Sequence, residues 1–114
     1  MTSTFPALLI RDEVLGSHRV SLTDMEPSEL MDGEVEVAVR YSSLNYKDAL
    51  GITGSGRVLR RSPLVGGIDA AGEVLSAAED SGLKAGDPVL VTGCGLGEIH
   101  HGGFAGRIRV PADW

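Results

Sequence analysis

The sequence predicts a mainly β domain, with about six short strands and one or two short helices in a closed or partly closed barrel. Residues 34–41 alternate so that Val35, Val37 and Val39 share one face, which is the period of a half-buried strand. The chain holds 16 glycines and only 4% aromatic residues, a composition typical of tight turns between short strands. Its 114 residues suffice for one core but not for two.

The first strands are predicted from two apolar patterns near the N-terminus. The aliphatic run at residues 7–10 predicts a buried opening strand, and the alternating run at 18–22 predicts a half-buried partner, with a turn at 16–17 between them. Residues 23–33 carry Pro27 and several acids, so they predict a connection with one helical turn near residues 29–31.

Three further strands are predicted after the middle of the chain. Residues 72–77 form one strand pattern, and the continuous apolar run at 89–92 predicts a buried strand after a Gly-Asp-Pro turn. Residues 104–110 predict the last strand, with Phe104, Ile108 and Val110 facing inward and the arginines outward.

Residues 42–50 crowd hydrogen-bonding side chains into one turn that follows a strand. Asn45, Tyr46, Lys47 and Asp48 could hold a polar ligand from several sides. They also suit a capped helix start, because Asn45 is a good N-cap and Asp48 lies where the helix dipole favours an acid. Lys47 is expected to face solvent, and the glycine-rich residues 51–56 are expected to form a loop.

The glycine-rich stretch at residues 93–98 invites a dinucleotide-binding interpretation, but the third glycine of that fingerprint is absent and no helix pattern follows. We expect a flexible loop whose backbone amides face a ligand. Glu98, His100 and His101 in this loop have side chains that suit a metal or acid/base site. The metal interpretation is weak, because adjacent histidines on a loop point in different directions and only one carboxylate is near.

Composition excludes several classes of protein. A formal charge of −6 argues against a nucleic-acid surface. The three arginines at 57, 60 and 61 could pair with a phosphate, although a solvated loop is the simpler interpretation. A single cysteine allows no internal disulfide. With no basic leader and no long apolar run, the sequence predicts a soluble, cytoplasmic protein that does not bind membranes.

Four blocks in register, at residues 42–50, 63–72, 86–89 and 95–103, resemble medium-chain dehydrogenase/reductase proteins. The resemblance is to the zinc-independent, quinone-oxidoreductase-like branch that includes the acrylyl-CoA reductases, and it covers nearly the whole chain from residue 7. It implies that residues 1–114 form a GroES-like substrate and catalytic domain. The Rossmann nucleotide-binding domain of the family would lie outside these residues.

The resemblance also implies a function. It indicates an NADPH-dependent reductase of activated carbon–carbon double bonds, acting on an enoyl thioester such as acrylyl-CoA or on a quinone, with the full-length protein a homo-oligomer. Tyr46 would be the proton donor or would order the nicotinamide, and Asn45, Tyr46 and Asp48 would bind the cofactor. No zinc is expected, because Asn45, Ile68 and Asp69 stand where zinc-binding relatives carry Cys, His and Glu. The alternative is a stand-alone binding or assembly module without catalysis.

Overall fold

The computed structural model describes residues 4–12, 18–53 and 63–114. Its elements are β1 (Phe5–Asp12), β2 (His18–Met25), β3 (Val35–Tyr41), α1 (Tyr46–Thr53), β4 (Leu64–Val65), β5 (Asp69–Ala77), β6 (Pro88–Thr92) and β7 (Arg107–Val110). Short 3₁₀ turns cover Pro27–Glu29 and Glu79–Ser81. No helix in these three ranges is long and apolar enough to cross a membrane.

The strands form two antiparallel sheets, ordered β2-β1-β4 and β6-β5-β3-β7. The sheets meet where Ala7 of β1 bridges Ala105, just before β7, and the backbone N–H of Leu8 donates to the carbonyl oxygen of Phe104 at 2.8 Å. The mainly β prediction is confirmed. Of the two predicted barrel forms, the fully closed one is wrong for the described strands, because they divide into two sheets.

The core consists of two apolar clusters, one for each sheet. Val35 and Val37 are buried as the alternation of β3 predicted, and they pack with Ile108 and Val110 of β7 in the larger cluster. The smaller cluster lies on the other sheet and contains Phe5, Ala7, Met25, Leu30 and Val65. Each cluster packs against one sheet. The polar site described below lies outside both clusters, where the chain connects β3 to α1 and enters β5.

Two predictions of burial are wrong, and both concern edge strands. Leu22 of β2 is 77% exposed and Leu90 of β6 is 67% exposed, although a half-buried and a buried strand were predicted. Only one face of each antiparallel sheet meets a cluster, and that face carries Met25 in β2 and Val91 in β6. An apolar run in sequence does not reveal that one face of its strand is left exposed.

Several predicted boundaries move. Helix α1 continues through Gly51 to Thr53, where a loop was predicted, because a glycine costs a helix only about 1 kcal/mol. Strand β5 begins at Asp69 rather than at residue 72, and the turn predicted near residue 29 is the 3₁₀ turn that starts at Pro27. Phe104 precedes β7 and packs against the smaller cluster. The predictions for residues 16–17 and 54–56 and for the arginines at 57, 60 and 61 lie outside the described residues.

Candidate functional site

A polar network lies where the chain leaves β3, enters α1 and meets the start of β5. Its members are Ser43, Asn45, Asp48 and Asp69, which we call the Ser43–Asp69 corner. Three of them lie within six residues of one another, whereas Asp69 is the first residue of β5. The corner therefore depends on the pairing of β5 with β3, in which Ala71 is aligned with Tyr41.

Asp48 is the buried anchor of the corner, with only 3% of its surface exposed. Its Oδ2 accepts hydrogen bonds from the backbone N–H of Asn45 at 2.9 Å and from Nδ2 of Asn45 at 3.0 Å. Its Oδ1 accepts from the backbone N–H of Ile68 at 2.9 Å. A buried carboxylate is stable only with such donors, and here they tie the first turn of α1 to the entry of β5.

The start of α1 also confirms the predicted capped helix. The carbonyl oxygen of Asn45 accepts from the backbone N–H of Ala49 at 3.1 Å, which places Asn45 at the N-cap position. Asp48, at the third helical position, returns its side chain to the backbone N–H of Asn45, as in one half of a capping box. The side chain of Asn45 donates to carboxylates through Nδ2, whereas a side-chain cap would accept from the helix.

Ser43 joins Asp69 to the corner. The hydroxyl of Ser43 lies 2.8 Å from Oδ1 and 2.7 Å from Oδ2 of Asp69, and its backbone N–H donates to Oδ1 at 3.2 Å. Nδ2 of Asn45 lies 3.1 Å from the Ser43 hydroxyl and 3.3 Å from Oδ2 of Asp69. Serine, amide and carboxylate thus form one connected network at the surface.

Exposed apolar side chains lie next to members of this network in the sequence, and others line a cavity beside Ser43 and Asp69. Tyr46, the first residue of α1, is 81% exposed, and Leu44 beside it is also exposed. An open cavity of about 170 Å³ is lined by Tyr41, Ser43, Asp69 and Leu90, together with Ser42, Ala70 and Ala71. A shallow apolar cleft with a few convergent polar groups is the usual form of a small-molecule site.

The second glycine-rich segment, residues 93–103, has a different construction, and we call it the glycine loop. Gly93, Gly95 and Gly97 adopt positive φ, as does Cys94 at 58°. The backbone N–H groups of residues 96, 98, 99 and 100 donate to carbonyl oxygens of Gly93 or Gly95, and that of Gly97 donates to His100. The prediction that amides of residues 93–98 face a ligand is therefore wrong for residues 96–98.

The three polar residues of the glycine loop do not form a common site. Nε2 of His100 lies 2.5 Å from the carbonyl oxygen of Arg109, whereas Nδ1 of His101 accepts from the backbone N–H of Val65 at 3.1 Å. Glu98 forms an ion pair with Lys47, whose side chain still faces solvent, as predicted. Across residues 4–12, 18–53 and 63–114, no three His, Cys, Asp or Glu residues are grouped as a metal site.

The structure brings together Asn45, Tyr46 and Asp48, the residues that the sequence proposed for the cofactor site, although their roles stay predictions. Sequence reasoning did not include Ser43 or Asp69 in that site. In the sequence, Asp69 stands out only as a position where zinc-binding relatives carry a ligand, and Ser43 only as part of the block at residues 42–50. Ser43 and Asp69 come together only because two blocks of the sequence are close in space. Their separation of 26 residues gives no sign of that proximity.

Comparison with known proteins gives three kinds of match. The model of the alcohol dehydrogenase GroES-like domain matches residues 31–114. The probable acrylyl-CoA reductase AcuI of Escherichia coli is 46% identical over 106 residues, which cover 93% of this chain and 32% of that protein. The putative quinone oxidoreductase YhfP of Bacillus subtilis is 38% identical over 95 residues, which cover 83% of this chain and 28% of that protein.

Two solved structures share the fold closely. The crystal structure of E. coli K-12 YhdH with bound NADPH has a TM-score of 0.90 and 47% identity, covering 95% of this chain and 33% of its own. That of B. subtilis YhfP with NAD bound also has a TM-score of 0.90, at 35% identity, covering 98% of this chain and 33% of its own. The chain spans about a third of the length of the curated relatives it matches.

Proposed function

The chain belongs to the alcohol dehydrogenase GroES-like domain family, and we propose that it is the substrate and catalytic domain of an NADPH-dependent reductase of activated carbon–carbon double bonds. Relatives named as acrylyl-CoA reductase and quinone oxidoreductase support an enoyl thioester or a quinone as the acceptor. A related structure with bound NADPH supports the cofactor. Because the chain spans a third of these relatives, we propose that a Rossmann nucleotide-binding domain completes the active site.

One observation carries this proposal: a preorganised polar network borders an open apolar cleft, and an exposed tyrosine, Tyr46, follows Asn45 of that network in the sequence. The walls formed by Tyr41 and Leu90 suit a flat ring, and the polar floor formed by Ser43 and Asp69 suits the polar edge of a ring substituent. These residues therefore fit a nicotinamide and a small acceptor. Bound NADPH would supply the hydride to the β-carbon of the acceptor.

The remaining chemistry falls to side chains. As the double bond is reduced, negative charge develops on the carbonyl oxygen of an enoyl thioester, and the α-carbon needs a proton. The hydroxyl of Tyr46 is the donor we assign to these tasks, because it lies at the exposed start of α1. Asp48 is buried with both carboxylate oxygens engaged, so we propose that it serves the cofactor indirectly, by fixing Asn45.

We also propose that this reductase works without catalytic zinc. Ile68 has no ligating atom in its side chain, and the side chains of Asn45 and Asp69 bind each other at 3.3 Å. A catalytic zinc needs three protein ligands. A stand-alone binding module is not favoured, because the named relatives are reductases.

The test is NADPH oxidation by the full-length protein, with acrylyl-CoA and a benzoquinone as acceptors. The proposal expects turnover with at least one of them, and the absence of turnover with both contradicts it.

Tyr46→Phe removes only the hydroxyl. If that hydroxyl donates to developing charge, kcat should fall by roughly 10²-fold. If Tyr46 only orders the cofactor, KM for NADPH should rise with little change in kcat, and wild-type kinetics would exclude both roles.

A further inference from the structure

The network at the Ser43–Asp69 corner determines which atom of Asn45 is left for a ligand. Nδ2 of Asn45 lies 3.0 Å from Oδ2 of Asp48, 3.3 Å from Oδ2 of Asp69 and 3.1 Å from the hydroxyl of Ser43. All three neighbours can accept a hydrogen bond, and two of them belong to carboxylates, which only accept when ionised.

This environment fixes the orientation of the amide. A rotation of 180° would place Oδ1 of Asn45 against the oxygens of Asp48 and Asp69, so that acceptors would face acceptors and both carboxylates would lose the amide donor of Asn45. The amide nitrogen therefore points inward. The carbonyl oxygen Oδ1 diverges from it and points away from both carboxylates, on a residue that is half-buried beside the exposed Tyr46.

Ser43 and Asp69 hold this orientation from the open side of the corner. The Ser43 hydroxyl and backbone N–H bind the carboxylate of Asp69 at 2.7–3.2 Å, which ties the start of β5 to the connection between β3 and α1. Asp69 then accepts from Asn45. Without Asp69, the amide would keep Asp48 as its only carboxylate partner and would be freer to rotate.

We propose that Asn45 is a hydrogen-bond acceptor in the active site, which receives an N–H of the nicotinamide carboxamide at Oδ1, and that Ser43 and Asp69 are positioning residues for it. The inference rests on the proposed function and adds the direction of the hydrogen bond. A thioester or quinone carbonyl is an acceptor and cannot pair with Oδ1. Asn45 is thereby excluded as the donor to the developing enolate, and that task remains with the hydroxyl of Tyr46.

The test compares binding of two cofactors to the full-length protein. Reduced 3-acetylpyridine adenine dinucleotide phosphate carries an acetyl group in place of the carboxamide and so lacks its N–H donors. We expect the wild type to bind NADPH roughly tenfold more tightly than the analogue, as for one lost hydrogen bond. Asn45→Ala should bring the ratio of the two Kd values near unity, and Ser43→Ala and Asp69→Asn should each lower it by a smaller factor.

A double variant separates positioning from folding. If Ser43 acts only through Asn45, adding Ser43→Ala to Asn45→Ala should leave the ratio where Asn45→Ala alone put it.

A tenfold ratio that survives Asn45→Ala overturns the acceptor role, and a wild-type ratio in Ser43→Ala and Asp69→Asn overturns the positioning role. If the wild type binds neither cofactor, the proposed function itself fails. Should Asn45→Ala not fold, Asn45→Ser carries the same test, because its shorter side chain removes the carbonyl.

Discussion

The Ser43–Asp69 corner and the glycine loop are both polar, irregular segments beside the sheets, but they use their polar groups in opposite ways. In the corner, side chains bind side chains, and Tyr46 and the neighbouring apolar residues remain exposed. In the glycine loop, backbone N–H groups bind carbonyl oxygens of the same loop, and His100 is buried against Arg109 and Trp114. The corner can therefore offer chemistry to a ligand, whereas the loop serves as a support.

The difference shows that glycine content alone does not indicate a ligand loop. The glycine loop needs its glycines because the backbone passes very close to another segment. A Cβ added at Gly102 would lie 2.2 Å from the carbonyl oxygen of Gly67, and one at Gly97 would lie 2.6 Å from the same atom. Close packing of backbone on backbone, rather than approach to a phosphate, explains these residues.

The largest expected effect tests that explanation. Gly102→Ala should destabilise the protein by about 4 kcal/mol or more, because rigid backbone atoms must move to admit the methyl group. Gly93→Ala is the matched control: a Cβ there meets nothing within 4 Å, and only its φ of 68° is unfavourable. It should cost about 1 kcal/mol. If urea denaturation shows equal losses of unfolding free energy for the two variants, close backbone packing is not the reason why glycine is needed at residue 102.

A second prediction concerns the buried anchor of the corner. Asp48→Asn is isosteric, but it turns an NH₂ group toward the donors of Asn45 or toward the N–H of Ile68. Donor facing donor in a buried site should cost about 2–4 kcal/mol of unfolding free energy. Asp80→Asn, on the exposed 3₁₀ turn Glu79–Ser81, should stay within about 0.5 kcal/mol. A loss below 1 kcal/mol for Asp48→Asn would contradict the anchoring role.

The smallest effect is expected for the ion pair that links the two regions. Lys47 of α1 and Glu98 of the glycine loop are in contact, but the lysine side chain is half-exposed. Glu98→Gln should therefore cost no more than about 0.5 kcal/mol. Glu36→Gln is the comparison, because Glu36 pairs with both Arg107 and Arg109 at 3.1 and 2.8 Å and is better shielded. If denaturation curves show that Glu98→Gln lowers the unfolding free energy more than Glu36→Gln does, the Lys47–Glu98 ion pair contributes more to stability than this account allows.

Local patterns predicted much of the fold. The alternation of Val35, Val37 and Val39 identified β3 and its buried face, and Asn45 and Asp48 identified the start of α1. These features depend on residues within a few positions of each other. The exposure of Leu22 and Leu90 could not be predicted, because the way the strands pair and the sheets pack determines which face of a strand is buried, and neither is local.

The composition of the candidate site was likewise predictable only for residues that are close in sequence. Asn45, Tyr46 and Asp48 lie on one turn of α1, so their proximity follows from sequence alone. Ser43 and Asp69 are 26 residues apart, and only the pairing of β3 with β5 brings them together. Glu98, His100 and His101 are neighbours in sequence, but each side chain binds a different partner elsewhere in the chain.

The most direct measurement is the change in backbone amide chemical shifts when NADPH is added to the ¹⁵N-labelled full-length protein. The account predicts that the largest changes in these 114 residues occur at Ser43, Asn45, Tyr46 and Asp69, and that residues 96–100 change little. Large changes at residues 96–100 with none at the Ser43–Asp69 corner would contradict it, because the ligand would then contact the segment described here as a support.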